Sequence, residues 1–155
     1  MKLPSFEYLL QESTTTLKRF PFAIINVLIG TSIAVYLLDL PHDEWDAYPS
    51  LTKWLMVTGL GIALFTTLTV WTEKKRLTLA RRMGIQSTGV LILVAYYFWL
   101  PATLEDAPTI HFIRYWLFII GLHLLVSFAP FSGKGEINGF WQYNKALFLR
   151  FLTAA

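Results

Sequence analysis

Four long apolar blocks constrain what this chain can fold into more tightly than any other feature of its sequence. They are Phe22–Leu40, Trp54–Trp71, a third ending at Leu100, and Phe112–Phe131. A hydrocarbon core about 30 Å thick is crossed by roughly 20 helical residues at about 1.5 Å each. The first, second and fourth blocks meet that length. The third, Gly89–Leu100, reaches it only by recruiting "MGIQST" before it, which sets its start near Gly84 or Ile85. Lipid offers the backbone no hydrogen bonds, so a spanning segment must be a helix or part of a closed barrel. Barrel strands alternate polar and apolar side chains, whereas these blocks are apolar on every face. The sequence therefore predicts an all-α integral membrane protein. Its four transmembrane helices, at about 22–40, 54–71, 85–100 and 112–131, would form an antiparallel bundle in a single domain.

Composition agrees. Only 15% of the residues are charged and 55% are hydrophobic, against about a quarter charged in soluble domains. The cations sit beside apolar blocks and form no separate basic patch, which argues against a nucleic-acid partner. The chain has no cysteine, which removes disulfides, thiolate metal sites and a cysteine nucleophile. No cofactor, metal or catalytic residue is expected.

The charges also sort by loop. Lys2, Lys18 and Arg19 precede the first block; Lys74, Lys75, Arg76, Arg81 and Arg82 separate the second from the third; Lys134, Lys145 and Arg150 follow the fourth. Only Lys53 and Arg114, of 13 cations, fall on the other side, together with the acids of "HDEWD" and "LED". Positive charge stays on the untranslocated face, so both termini are expected in the cytoplasm.

The two ends read as separate elements. Residues 5–20 place Phe6, Leu9 or Leu10, Leu17 and Phe20 at helical spacing opposite Glu7, Gln11, Glu12 and Lys18. That pattern fits a helix in the cytoplasmic interface, stopped before Pro21. Residues 141–155 are helix-friendly, with Lys145 and Arg150 placed to snorkel. They read either as a second interfacial helix or as the opening turns of a fifth span.

Polar side chains inside spans are the first place to seek chemistry. Asn26 lies about a turn inside the first span, and His123 near the middle of the fourth. A proton-relay role for His123 competes with a neutral histidine bonding to a neighbouring helix, and the second reading is preferred. His111 and Arg114, three residues apart, share a helix face near the outer end, and snorkelling towards headgroups explains them most simply. Arg114 and His123 lie half a helical revolution out of phase, against one shared site. "SLTK" matches a Ser-x-x-Lys spacing without its partner motifs, and Ser50 is read as a helix N-cap instead. The acids and histidine of "HDEWD" read as a solvated loop rather than a cation site, and "GKGE" as a turn. Gly30 with Ala34, and Gly59 with Ala63, are small-xxx-small pairs suited to joining the first two spans closely.

"TLKRFPFAIINVLIG" and "GFWQYNKALFLRFLTAA" together resemble the opening region of a bacterial multi-pass membrane family catalogued as domain of unknown function 4153. The Arg-Phe-Pro entry to the first span and the "FWQYNK-LFLRFLTA" run carry the likeness, which covers the whole chain. The resemblance implies residence in the bacterial inner membrane. It also implies further spans of the same chain as partners, alongside the lipid bilayer, and transfers no catalytic residue. The expected role is structural or regulatory within the envelope, and an enzyme is not favoured. A portion of a transporter, or an enzyme acting on lipid or envelope precursors, are the alternatives.

Overall fold

The computed structural model describes residues 6–41, 48–101, 109–132 and 137–154. They form six α-helices and one short 3-10 turn. The helices are α1 (Phe6–Arg19), α2 (Pro21–Asp39), α3 (Pro49–Lys74), α4 (Leu79–Trp99), α5 (Thr109–Phe128) and α6 (Ile137–Ala154), with Ala129–Phe131 the 3-10 turn. No strand occurs among the described residues. Three helical stretches are long and apolar enough to cross a membrane: Pro21–Asp39, Pro49–Lys74 and Thr109–Phe131. These make the chain a helical membrane protein.

Proline sets two of the helix starts. Pro21 and Pro49 each occupy the first turn of their helix, where the missing N–H would have had no intrahelical partner. The residue before a proline is pushed away from helical geometry, and Phe20 accordingly adopts φ −122° and ψ 49°. That single residue separates α1 from α2. Starting at Pro49 places Ser50 within the first turn, and the capping position falls to Tyr48, which makes no side-chain cap hydrogen bond. The expected Ser50 cap is thus corrected: proline chemistry, not a hydroxyl, begins this helix. The helix α4 begins at Leu79, ahead of the 84–85 start expected from hydropathy. Arg81 and Arg82 weaken its apolar signal but remain good helix formers.

The long helix α3 is the hub and packs against α2, α4 and α5. Its buried residues, from Val57 through Gly61 and Phe65 to Thr72, cover most of its circumference and leave one stripe, through Gly59, Ile62 and Thr66, without a buried residue. By contrast, α2 buries a seam of Ala23, Gly30 and Leu37, and α4 buries Gln86, Gly89 and Leu93. Seven-residue spacing keeps such a stripe on one face. No residue of α5 is fully buried. The remaining faces turn outwards with large apolar side chains, among them Leu38 at 73% and Phe98 at 78% exposure. Exposed apolar area on this scale, over several helices, is a surface made for lipid or for other helices.

The α3–α4 turn contains no glycine. Arg76 takes φ 50°, its N–H donates to Glu73 O at 2.9 Å, and the Leu77 N–H donates to Thr72 O at 3.2 Å. This is the paired closure of a helix C-terminus that normally recruits glycine for its left-handed residue.

Candidate functional site

Cationic side chains gather where α1, α3, α4 and the turn after α5 meet. Glu73, at the end of α3, is the centre. The Arg19 guanidinium donates to its carboxylate through Nη2 at 2.8 Å and Nε at 3.0 Å, and Arg82 Nη2 donates to its other oxygen at 3.2 Å. The hydrogen bond to Glu73 raises the Arg19 pKa, outweighing the opposing effect of partial burial. Beside this cluster, Lys75 Nζ donates to Ser132 O at 3.2 Å, and Lys74 Nζ lies 5.5 Å from the Phe131 ring. Phe131 also stacks near Phe140 and Tyr143 of α6, at 5.6 Å from each.

The opposite ends of α3, α4 and α5 form an aromatic collar around Lys53 and Arg114. Lys53 Nζ donates to Leu100 O at 3.1 Å and lies 4.6 Å from the Tyr97 ring, which packs on Trp54. His111 and Arg114 share one face, as their spacing predicts, and both meet Trp99: the imidazole at 5.4 Å and the guanidinium at 5.6 Å. His111 Nδ1 is buried without a hydrogen-bond partner among the described residues. The residues of "HDEWD", Glu105, Asp106 and "GKGE" lie outside the described residues.

Between these ends the helices meet through small residues. A Cβ on Gly30 would come within 2.8 Å of Thr58 Oγ1, and one on Gly61 would collide with the Asn26 carboxamide. Asn26 itself donates Nδ2–H to Phe22 O at 2.8 Å, so this polar group is satisfied within α2 while it rests on bare α3 backbone. A Cβ on Gly59 would instead come within 2.8 Å of the Tyr115 hydroxyl of α5. Gly30 and Gly61 therefore lie at the α2–α3 contact, whereas Gly59, two residues before Gly61 and so on nearly the opposite face of α3, turns to α5. Ala63 is buried and Ala34 half-buried. Gln86 is buried and bonds across helices, its Nε2–H donating to Thr69 Oγ1 at 3.0 Å; its Oε1 accepts nothing among the described residues.

Among the described residues His123 makes no hydrogen bond to a neighbouring helix. Its Nδ1–H donates to Ile119 O, one turn back on its own helix, at 2.8 Å. The ring is exposed and lines an open groove of about 940 Å³ between α3, α5 and α6, together with Ala63, Thr66, Ser127, Asn144 and Phe148. Arg114 and His123 thus occupy separate places, one in the collar and one in the groove. Among the described residues, no three His, Cys, Asp or Glu side chains come together as a metal site.

Two features escaped the sequence reading. Glu73 carried a signal, being the lone acid in a hairpin of five cations. Gln86 carried none that separates a helix-bridging amide from an exposed one. The chain matches no protein-family model, no curated protein and no solved structure.

Proposed function

We propose that this chain is the membrane-embedded helical module of a bacterial inner-membrane protein, with a structural or regulatory role in the envelope. Four spans, α2 to α5, run antiparallel in succession with both termini in the cytoplasm, and α1 lies in the inner interface. The separation of charge carries the reading: Arg19, Lys74, Lys75 and Arg82 gather around the end of α3, while Lys53 and Arg114 lie in an aromatic collar of the kind found at membrane interfaces. The helix α4 is less apolar than the other three, yet its 21 residues measure about 31 Å. It extends from Arg82, beside Glu73 at one end of α3, to Leu100, beside Lys53 at the other. The family resemblance extends the same proposal, since later spans of a longer protein would find apolar faces ready on α2 and α4.

The alternatives have less support. Transporters build sites from broken helices at mid-membrane, and α2, α3, α4 and α5 are continuous. An enzyme acting at the outer interface would require clustered ionisable groups, and His111 and Arg114 both rest against Trp99.

Because the chain has no cysteine, single substitutions report topology cleanly. In intact cells, Pro41→Cys is expected to react with a membrane-impermeant maleimide, and Arg76→Cys only after permeabilisation. Labelling of both positions from outside would refute a spanning α3, and the reverse pattern would invert the orientation.

A further inference from the structure

We propose that the groove between α3, α5 and α6 binds the hydroxyacyl chain of an uncharged membrane lipid, an acyl ester whose chain carries a hydroxyl deeper than its carbonyl. The proposal rests on the membrane reading above.

The groove is apolar over most of its wall and carries no charge. Of the twelve described residues that line it, eight are apolar, and no Asp, Glu, Lys or Arg is among them. A charged headgroup would lose its hydration there without gaining a partner. The four polar residues are Thr66, His123, Ser127 and Asn144. They stand at two levels, and the levels differ in what they still offer.

At the deeper level only acceptors are free. Thr66 Oγ1–H donates to Ile62 O at 2.7 Å, and His123 Nδ1–H donates to Ile119 O at 2.8 Å. A carbonyl only accepts, so Nδ1 carries the proton and Nε2 is the acceptor of the ring. One helical turn nearer the Phe131 end, about 6 Å along α5, donors are free. The hydroxyls of Thr66 and Thr88 are tied to the backbone one turn back, whereas Ser127 makes no hydrogen bond among the described residues. Asn144 follows Tyr143, whose ring meets Phe131. It gives one N–H to Phe140 O at 2.9 Å and keeps the other.

The matching ligand presents an acceptor first, a donor one turn deeper, and hydrocarbon beyond. A carbonyl oxygen has two lone pairs, enough for Ser127 and Asn144 together. A hydroxyl further down the chain donates to His123 Nε2, and the rest of the chain continues between Ile62 and Ile120. A plain acyl ester leaves His123 without a donor. A diacylglycerol carries its hydroxyl on the headgroup side of its carbonyls, the reverse order. An apolar helix, with its backbone groups bonded internally, supplies neither group. The groove volume of about 940 Å³ falls in the range of about 300–1,000 Å³ usual for ligand clefts.

The test uses the whole chain in lipid nanodiscs, with tritiated methyl 3-hydroxymyristate as the probe and scintillation proximity as the readout. Unlabelled methyl myristate lacks only the hydroxyl. At equal mole fraction in the lipid it is expected to compete roughly fivefold more weakly than unlabelled methyl 3-hydroxymyristate, the effect of one unmatched hydrogen bond. His123→Phe should lower the affinity of the hydroxy ester to that of the plain ester, which itself stays unchanged. Ser127→Ala should weaken both esters alike, since both keep the carbonyl. Equal competition by the two esters in the parent protein would overturn the proposal. So would a preference that survives His123→Phe, or the absence of saturable binding. His123 is exposed and its hydrogen bond stays within α5, so the variant is expected to keep its fold, with circular dichroism as the check. Failure here beside the expected cysteine labelling would remove the lipid site and leave the membrane topology standing.

Discussion

At the scale of single residues, adding a side chain should have opposite consequences at different glycines. Gly61 has the Asn26 carboxamide on one side and a Leu93 methyl 3.1 Å from where its Cβ would stand, whereas Gly84 has nothing within 4 Å. Gly61→Leu would force α2 and α4 away from α3 and is expected to cost about 1–3 kcal/mol, the range for overpacking a close contact. Gly84→Ala should stabilise by about 0.5–1 kcal/mol, because it only removes the freedom of an unfolded glycine. Denaturant unfolding in a fixed detergent compares the two, and a harmless Gly61→Leu would contradict the packing described. Arg76 offers a second contrast. It holds a left-handed conformation at φ 50°, which costs a side-chain-bearing residue about 1 kcal/mol. Arg76→Gly is therefore expected to raise stability by about that amount in the same assay. A loss of stability would mean that the arginine side chain contributes more than its backbone strain removes.

At the scale of elements, α1 is tethered to the rest through Glu73. The two described ion pairs at this carboxylate join Arg19 and Arg82 to one acceptor, linking α1, α3 and α4. Arg19 is half exposed, so the pair itself contributes only about 0.2–1 kcal/mol. Glu73→Gln should leave global unfolding little changed while amides of α1 exchange with solvent several-fold faster, as measured by hydrogen exchange. Unchanged protection of α1 would show that its apolar face alone holds it. The raised Arg19 pKa means that its share of this contribution is fully present at neutral pH and is lost only in strongly alkaline solution. Element boundaries show how far sequence reading reaches. The turn at Phe20–Pro21 follows from proline alone and is legible in the chain. The start of α4 is not, since a hydropathy window sees Arg81 and Arg82 as the edge of a span, while the backbone continues its hydrogen bonding through them. Ser50 misleads for a related reason: two N-terminal signals lie side by side, and the proline governs.

At the scale of the whole molecule, α3 is the organising element, the helix against which α2, α4 and α5 all pack. The other three keep most of their apolar surface outside, which makes the molecule an open assembly suited to lipid and to further helices. The cysteine-labelling prediction belongs at this scale because it tests the threading of the chain rather than any one contact. The sequence by itself determined the helical class, the membrane environment and the charged and apolar zones, because these depend on composition and on the length of apolar runs. Only the tertiary structure decided that α3 is central, that Gly59 faces α5 while Gly61 faces α2, that His123 bonds to its own helix, and that Glu73 gathers two arginines. Those outcomes depend on how each helix is rotated about its axis. In a span apolar on every face, the hydropathy pattern carries almost no information about rotation, so close packing between side chains and bare backbone sets it.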